Sequence, residues 1–336
     1  MDAQVTSITR ANRRAPIARV ITRRLTFMLP ILVIVSMGVF ALAALSPLDP
    51  LDAYLNGQSA SLTPEQREQM RAHLGLDQPW WGTWWSWASG TLHGDFGQSL
   101  VYRQSVSQVF LERLPWTLLL GAAGVGVGVL ASMVMGVAAA LRPGSALDRG
   151  ISMIATLLQA LPPFVIGMGV IAVFAVTLHL SPTGGLTRPG EPITPGGVLS
   201  HLALPTIVLA LSQMPWLILG LRQTLRDTLR DDAIAFARLR GIRRITVILH
   251  HLLPLALPPF IALVAMRLPE LVAGSAIVEA VFAWPGLGSA IVQAAQRLDL
   301  ALLATLTLAT TALVLTSMLI ADVLYVRLDP RVDGDV

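Results

Sequence analysis

Six stretches of this chain are apolar for long enough to cross a lipid bilayer, and that fixes the kind of fold available to it. In hydrocarbon each backbone N–H and C=O must find a partner inside the protein. A run of about 20 apolar residues therefore has to be a helix. The runs cover residues 25–45, 117–141, 151–178, 202–221, 252–282 and 300–325, the fifth with Pro254, Pro258 and Pro259 near its start. Composition agrees: 54% of residues are hydrophobic and 13% charged, against about 25% charged in a soluble domain. The expected fold class is an all-α integral membrane protein with six transmembrane helices.

Charge sets the orientation. All 24 basic residues are arginine, and there is no lysine or cysteine. A Walker A lysine, a Schiff-base lysine, a Ser–Lys dyad, a catalytic thiolate and a cysteine zinc site are all excluded. With the N-terminus inside, seventeen arginines fall in cytoplasmic segments and six in outer ones, leaving Arg267 within a span. The positive-inside rule then places both N and C termini in the cytoplasm, as an even number of spans requires. ITRRLTFMLP resembles a twin-arginine signal. With five spans following, it reads better as an uncleaved first span anchored by Arg23 and Arg24.

The domains read as follows: a cytoplasmic N-terminal tail (1–24), a first span (25–45), an outer segment (46–113), a transmembrane core (114–325) with a cytoplasmic loop at 222–251, and a cytoplasmic tail (326–336). In the outer segment, Thr63, Pro64 and Gln66 predict a capped helix that stops at Gly75. Trp80, Trp81, Trp84, Trp85 and Trp87 follow, read as boundary anchors on an interfacial helix in preference to a ligand-stacking cage. GDFGQSL reads as a tight turn, with glycines around Asp95.

Charges at bilayer depth are expensive and mark function or helix pairing. Arg267 and Glu270, three residues apart, share a helix face and are read as a pair that either pins packing or lines a pathway. Glu279 carries the same two readings. The adjacent His250 and His251 point about 100° apart on a helix and suit metal chelation poorly. Ser289 in PGLGSAI lacks the G-x-S-x-G pattern, and no hydrolase constellation stands out.

The cytoplasmic loop holds the sharpest signal. Arg222, Arg226 and Arg230 recur every four residues and extend the fourth helix inward. A short helix, 233–240, ends at Gly241, and a second helical run, 244–253, leads into the prolines. This predicts a helix–glycine–helix shelf parallel to the membrane. Phe236 and Leu239 are placed to plug a partner's groove, with Arg238 and Arg240 on its acidic rim. A shelf tethered at both ends cannot readily enter a DNA groove, so no nucleic acid partner is expected.

These residues resemble the EAA loop of ABC importer permeases, a motif of E-A-A, three residues, then glycine. The matching positions are Ala235, Phe236, Ala237, Arg238, Leu239, Arg240 and Gly241. Ala235 stands at the glutamate position and Phe236 at the first alanine. FARLRG, with His251 and Pro259 beyond, is similar in spacing to the "TARAKG" version of the peptide/nickel subfamily. TPEQREQMRAHLGLDQP, GDFGQS, ERLPWTL, VEAVFAWPGLGSAIVQAA and DVLYVRLDPRV extend the resemblance over nearly the whole chain, and the long outer segment resembles that of the first ("B") permease subunit.

The resemblance implies a type I ABC importer permease fold in the bacterial cytoplasmic (inner) membrane, and no catalysis by this chain. It implies a heterodimer with a second homologous permease, two ATP-binding subunits holding ATP and Mg, and an extracytoplasmic substrate-binding protein. Membrane lipid surrounds the assembly. This chain itself binds no cofactor or metal. Residues 235–241 would couple to the ATPase. Arg267, Glu270 and Glu279 are the pathway candidates, and Asp95, Gln98 and Trp284 the candidates facing the binding protein. Di- and oligopeptides are the expected cargo; nickel, metal chelates, glutathione or opines are the alternatives within the subfamily. A non-transport membrane scaffold and an ion-coupled secondary transporter are the rival classes; the latter calls for inverted repeats and buried mid-span carboxylates.

Overall fold

The computed structural model describes residues 14–47, 51, 55, 62–73, 78–230 and 232–328. All regular structure in them is helical. The helices are α1 (Arg14–Ala44), α2 (Pro64–His73), α3 (Trp80–Leu92), α4 (Val106–Leu141), α5 (Ala146–Ala160), α6 (Pro163–Val170), α7 (Pro195–Thr228), α8 (Asp232–Leu239), α9 (Arg244–Val247), α10 (Leu253–Val281), α11 (Leu287–Gln296) and α12 (Leu300–Leu328). π-helical turns continue α6 through Ile171–Thr177 and join α9 to α10 through Ile248–Leu252.

Five helices are long and apolar enough to cross a membrane, and the bent pair α5–α6 supplies the sixth passage. That pair starts beside the inner end of α7, where Asp148 meets Arg222 and Arg226. The chain beyond it reaches the outer end of α10, where Gly185 N–H donates to the Phe282 carbonyl at 2.8 Å. It therefore begins at one end of the bundle and finishes at the other.

Three expectations change. The third span is not one helix, because α5 and α6 meet at 106°. Pro162 and Pro163 remove two N–H donors, and Leu161, forced out of the helical region by the following proline, sits at φ −93°, ψ 127°. The second span begins at Val106 rather than 117, since Ser105 caps it by accepting from Gln108 N–H. Arg113, expected in the outer segment, therefore sits on α4. The run at 244–253 is not a separate shelf helix: residues on both sides of the π-helical turns keep helical backbone, so it forms the base of the fifth span.

The central seam joins α4 to α7. Gly124, Gly128, Ser132 and Gly136 recur every fourth residue, lie buried on one face of α4 and let the two backbones approach. The Ser132 hydroxyl donates to the Gly128 and Met214 carbonyls at 2.6 and 3.2 Å. The seam discriminates between its glycines. A Cβ on Gly128 would meet Ala210 at 3.6 Å, ordinary contact, whereas one on Gly136 would lie 3.1 Å from Leu221 Cδ2 and 3.3 Å from the Ile218 carbonyl. Gly128→Ala is expected to leave thermal stability in detergent unchanged or slightly raised. Gly136→Val lowers it by about 1–3 kcal/mol through overpacking.

The remaining long helices add to this seam. α10 packs on α7 and α12, and α12 packs on α1. At the inner ends, Arg24 Nε lies 2.5 Å from Asp322. On the outer side, α3 lies against α1: Trp84 donates its indole N–H to Ser36 at 3.1 Å, and Trp87 stacks tilted on Phe40 at 5.6 Å. Trp81 and Trp85 stay exposed on the opposite face, as an interfacial helix requires. Thr63 and Gln66 form the expected reciprocal cap of α2, each backbone N–H bonded to the other's side chain. The stop at Gly75 lies outside the described residues.

Candidate functional site

At the inner end, α8 is a short two-faced helix. Ile234 and Ala237 are buried in a cluster with Leu221, Leu225, Val247 and Leu252, which fixes α8 to the bases of the fourth and fifth spans. The opposite face carries Phe236, 64% exposed, and Leu239, 82% exposed. Arg240 is exposed beside them. Gly241 ends the helix at φ +73°, and Ile242 N–H reaches back to the Ala237 carbonyl at 3.4 Å, a Schellman-type stop. The side chains of Ala235 and Arg238 lie outside the described ones. Two large apolar groups are thus held out on a helix that is itself anchored, forming an exposed apolar hook.

Behind α8 stands an ion cluster that sequence reading missed. Asp148, at the start of α5, is almost wholly buried. Its carboxylate accepts from Arg222 Nε at 2.5 Å, from Arg226 Nη2 at 2.5 Å and from Gly144 N–H at 2.9 Å. Ser145 caps α5 through Asp148 N–H at 3.2 Å. The S-x-x-D spacing ahead of an apolar run was the available signal. The convergence of α5 and α7 was not visible in one dimension.

Within the membrane, Arg267 pairs with Glu270, and its guanidinium lies over the Trp216 ring at 4.3 Å. Glu270 remains 53% exposed at its side chain. A half-exposed carboxylate at this depth cannot face acyl chains, so this face of α7 and α10 turns toward water or protein.

Glu279 sits elsewhere. It is fully buried, and its carboxylate accepts from Gly288 N–H at 2.7 Å and Ser289 N–H at 3.3 Å, capping α11. A Cβ on Gly286 would stand 2.3 Å from its carboxyl carbon, which explains the glycine of the P-G-L-G turn. The geometry gives Glu279 a clamping role rather than a place on an open pathway.

The outer end carries further clamps. Asp299 is buried and accepts from the Ser99 hydroxyl at 2.7 Å, Val101 N–H at 3.0 Å and Leu302 N–H at 3.2 Å. It ties the loop after α3 to the start of α12, across 200 residues of chain. Arg113 donates to the Gly286 carbonyl and the Ser289 hydroxyl and lies 4.6 Å from the Tyr102 ring centre. Asp299→Ala leaves three donors without their acceptor, a loss of about 2–3 kcal/mol. Faster proteolysis within residues 94–105 is the expected readout, with α4 and α7 unaffected.

The candidates for facing the binding protein divide. Asp95 and Gln98 are exposed, and Asp95 Oδ1 accepts from Gly97 N–H at 2.9 Å within the expected turn, where Gly94 and Gly97 both take positive φ. Trp284 is corrected: it is completely buried, donates its indole N–H to the Trp116 carbonyl at 3.0 Å and stacks edge-on with Trp116. Its large apolar ring fills the core where α4, α7 and α10 meet and so does not face a partner.

A six-passage helical bundle, clamped outside and carrying an exposed apolar hook inside, is by class a multi-pass membrane transport component. The chain belongs to the family of binding-protein-dependent transport system inner membrane components, whose model matches residues 128–334, with the N-terminal model of the same systems matching residues 17–121. Relatives run nearly end to end. The oligopeptide transport system permease protein AppB of Bacillus subtilis is 33% identical over 94% of this chain and 99% of its own. The dipeptide transport system permease protein DppB of Escherichia coli K12 is 29% identical over 93% and 98%. A solved structure of the MetNI methionine ABC transporter, in an inward facing conformation, shares the fold at a TM-score of 0.54 and 20% identity, covering 66% of this chain and 97% of that one. Family membership sets aside the ion-coupled transporter and the scaffold. It makes the chain a permease component of the bacterial inner membrane and not the catalytic subunit of its system.

Proposed function

We propose that this chain is the first permease subunit of an ATP-driven importer of di- and oligopeptides. The observation that carries the reading is α8, which is anchored through Ile234 and Ala237 and presents Phe236 and Leu239 outward. In this reading, residues 222–251 form the coupling loop. A second, homologous permease completes the pathway, and two separate subunits bind ATP and Mg. Closure of those subunits around ATP pushes α8. Because α8 is packed on the bases of the fourth and fifth spans, the push reaches the helices that enclose the pathway. Such coupling requires contacts that differ between the two states. The Arg267–Glu270 pair is assigned to the pathway face and Glu279 to the outer clamp.

The substrate class rests on the peptide and dipeptide permeases similar to this chain. The departures at Ala235 and Phe236 fit a hook that relies on an aromatic anchor rather than on the motif's glutamate. Reconstitution of both permeases, the ATPase subunits and the binding protein in proteoliposomes tests the proposal. Uptake of labelled dipeptide, with ATP hydrolysis stimulated by the loaded binding protein, is the expected outcome. Uptake of a nickel chelate but no peptide would move the substrate assignment and leave the coupling assignment intact.

A further inference from the structure

A cavity of about 670 Å³ opens at the inner end of the bundle, between the ends of α4 and α7 and the stretch that leads from α8 to α10. Its walls are of two kinds. Leu141, Leu229, Ile248 and Leu252 are apolar, whereas Arg226 and Arg230 supply cationic groups. A volume in the range of a small-molecule site, apolar with a few converging polar groups, is the usual form of a ligand pocket.

The two arginines on its wall are held differently. Asp148 is shared by Arg222 and Arg226. Arg226 Nε is buried with no hydrogen-bond partner. Arg230 is exposed and makes no ion pair among the described residues. Asp227 of α7 is exposed and accepts from Gln223, and the side chains of Asp231 and Asp232 lie outside the described ones. Among the described side chains, Arg230 is thus left without an ion-pair partner at the edge of a largely apolar cavity. Its level matches the inner ends of the spans, where the cytoplasmic leaflet presents anionic headgroups.

We infer that this cavity binds an anionic phospholipid of the cytoplasmic leaflet, headgroup on Arg226 and Arg230 and acyl chain along Leu141, Leu229 and Ile248, and that occupancy tunes coupling to the ATPase. The second half rests on the proposed role of α8. Ile242 and Ile248, in the stretch joining α8 to α10, form one wall, so a bound lipid favours whichever position of that stretch preserves the cavity.

The test uses the complete importer. Phosphatidylglycerol is titrated against phosphatidylcholine, and lipid retention is read by native mass spectrometry. Stimulated ATP hydrolysis is read in parallel in nanodiscs of phosphatidylcholine with and without phosphatidylglycerol. The wild type is expected to retain phosphatidylglycerol selectively and to change its stimulated ATPase rate with it. Arg230→Gln, an exposed change that leaves the fold intact, weakens retention about fivefold, the value of one cationic contact at a membrane surface. Leu229→Trp fills the cavity and removes retention. Retention unaltered in both variants overturns the site. Displacement by glycerol 3-phosphate assigns it to a soluble anion and overturns the lipid. Retention without any change in ATPase rate overturns the regulatory half. Release of the ATPase subunits from the wild-type chain would instead count against the coupling reading and leave the lipid titration readable.

Discussion

Phe236→Asp in the assembled importer is expected to abolish peptide uptake and binding-protein-stimulated ATP hydrolysis while the chain itself stays folded. The separation of the two effects follows from exposure. Phe236 is 64% exposed and contributes little to the core, whereas its neighbour Ala237 is buried. Truncating a central aromatic anchor of an interface costs about 2 kcal/mol or more, at least a thirtyfold loss of affinity. A carboxylate adds the penalty of burying a charge in an apolar groove. Co-purification of the ATPase subunits is the direct readout, with thermal unfolding of the permease as the control. Leu239→Ser follows the same direction, and Arg240→Gln, at the rim, has a smaller effect that shrinks further at high salt. If Phe236→Asp retains its ATPase subunits and full uptake, α8 is not the coupling element.

Asp148→Asn is expected to be the most damaging single change to the stability of the inner end. The substitution is almost isosteric, so packing is preserved and the effect is electrostatic. Arg222 and Arg226 lose their common counter-charge in a setting where side chains are only a fifth to a quarter exposed. Removing one member of such a cluster costs about 3 kcal/mol or more, mostly from the charges left behind. The measurement is thermal stability of the purified chain, read by size-exclusion chromatography after heating. Two controls tie the loss to this mechanism. Asp227→Asn, on an exposed carboxylate of the helix that carries Arg222 and Arg226, stays within about 0.5 kcal/mol of wild type. Adding Arg222→Gln to Asp148→Asn restores part of the loss, because one stranded charge goes with it. An additive double variant would show that the cluster does not act as a unit.

The contrast between Asp148 and Phe236 shows where sequence reading succeeded. Phe236, Leu239 and Gly241 were legible because their signal is local. A two-faced octet stopped by glycine between apolar runs can be read along the chain. The turn at Asp95 and the cap at Thr63 were legible for the same reason. Asp148 and Asp299 were not, because each acts on partners roughly 75 or 200 residues away. Trp284 was misread because a loop-like sequence says nothing about which neighbour covers it. The break of the third span at Pro162 was written in the residues, but apolar length outweighed it.

The sequence by itself determined that this chain crosses a membrane, how many times, which way round, and where its exposed hook lies. Those properties come from hydrocarbon solvation, from the arginine count on each side and from helix periodicity, all of which are properties of contiguous residues. Only the tertiary structure decided which charges are clamps and which stay exposed. Glu270 and Glu279 are both glutamates on α10, yet one pairs with Arg267 on an exposed face and the other caps α11 in full burial. A carboxylate's role depends on the donors that surround it in space, and those donors arrive from other helices.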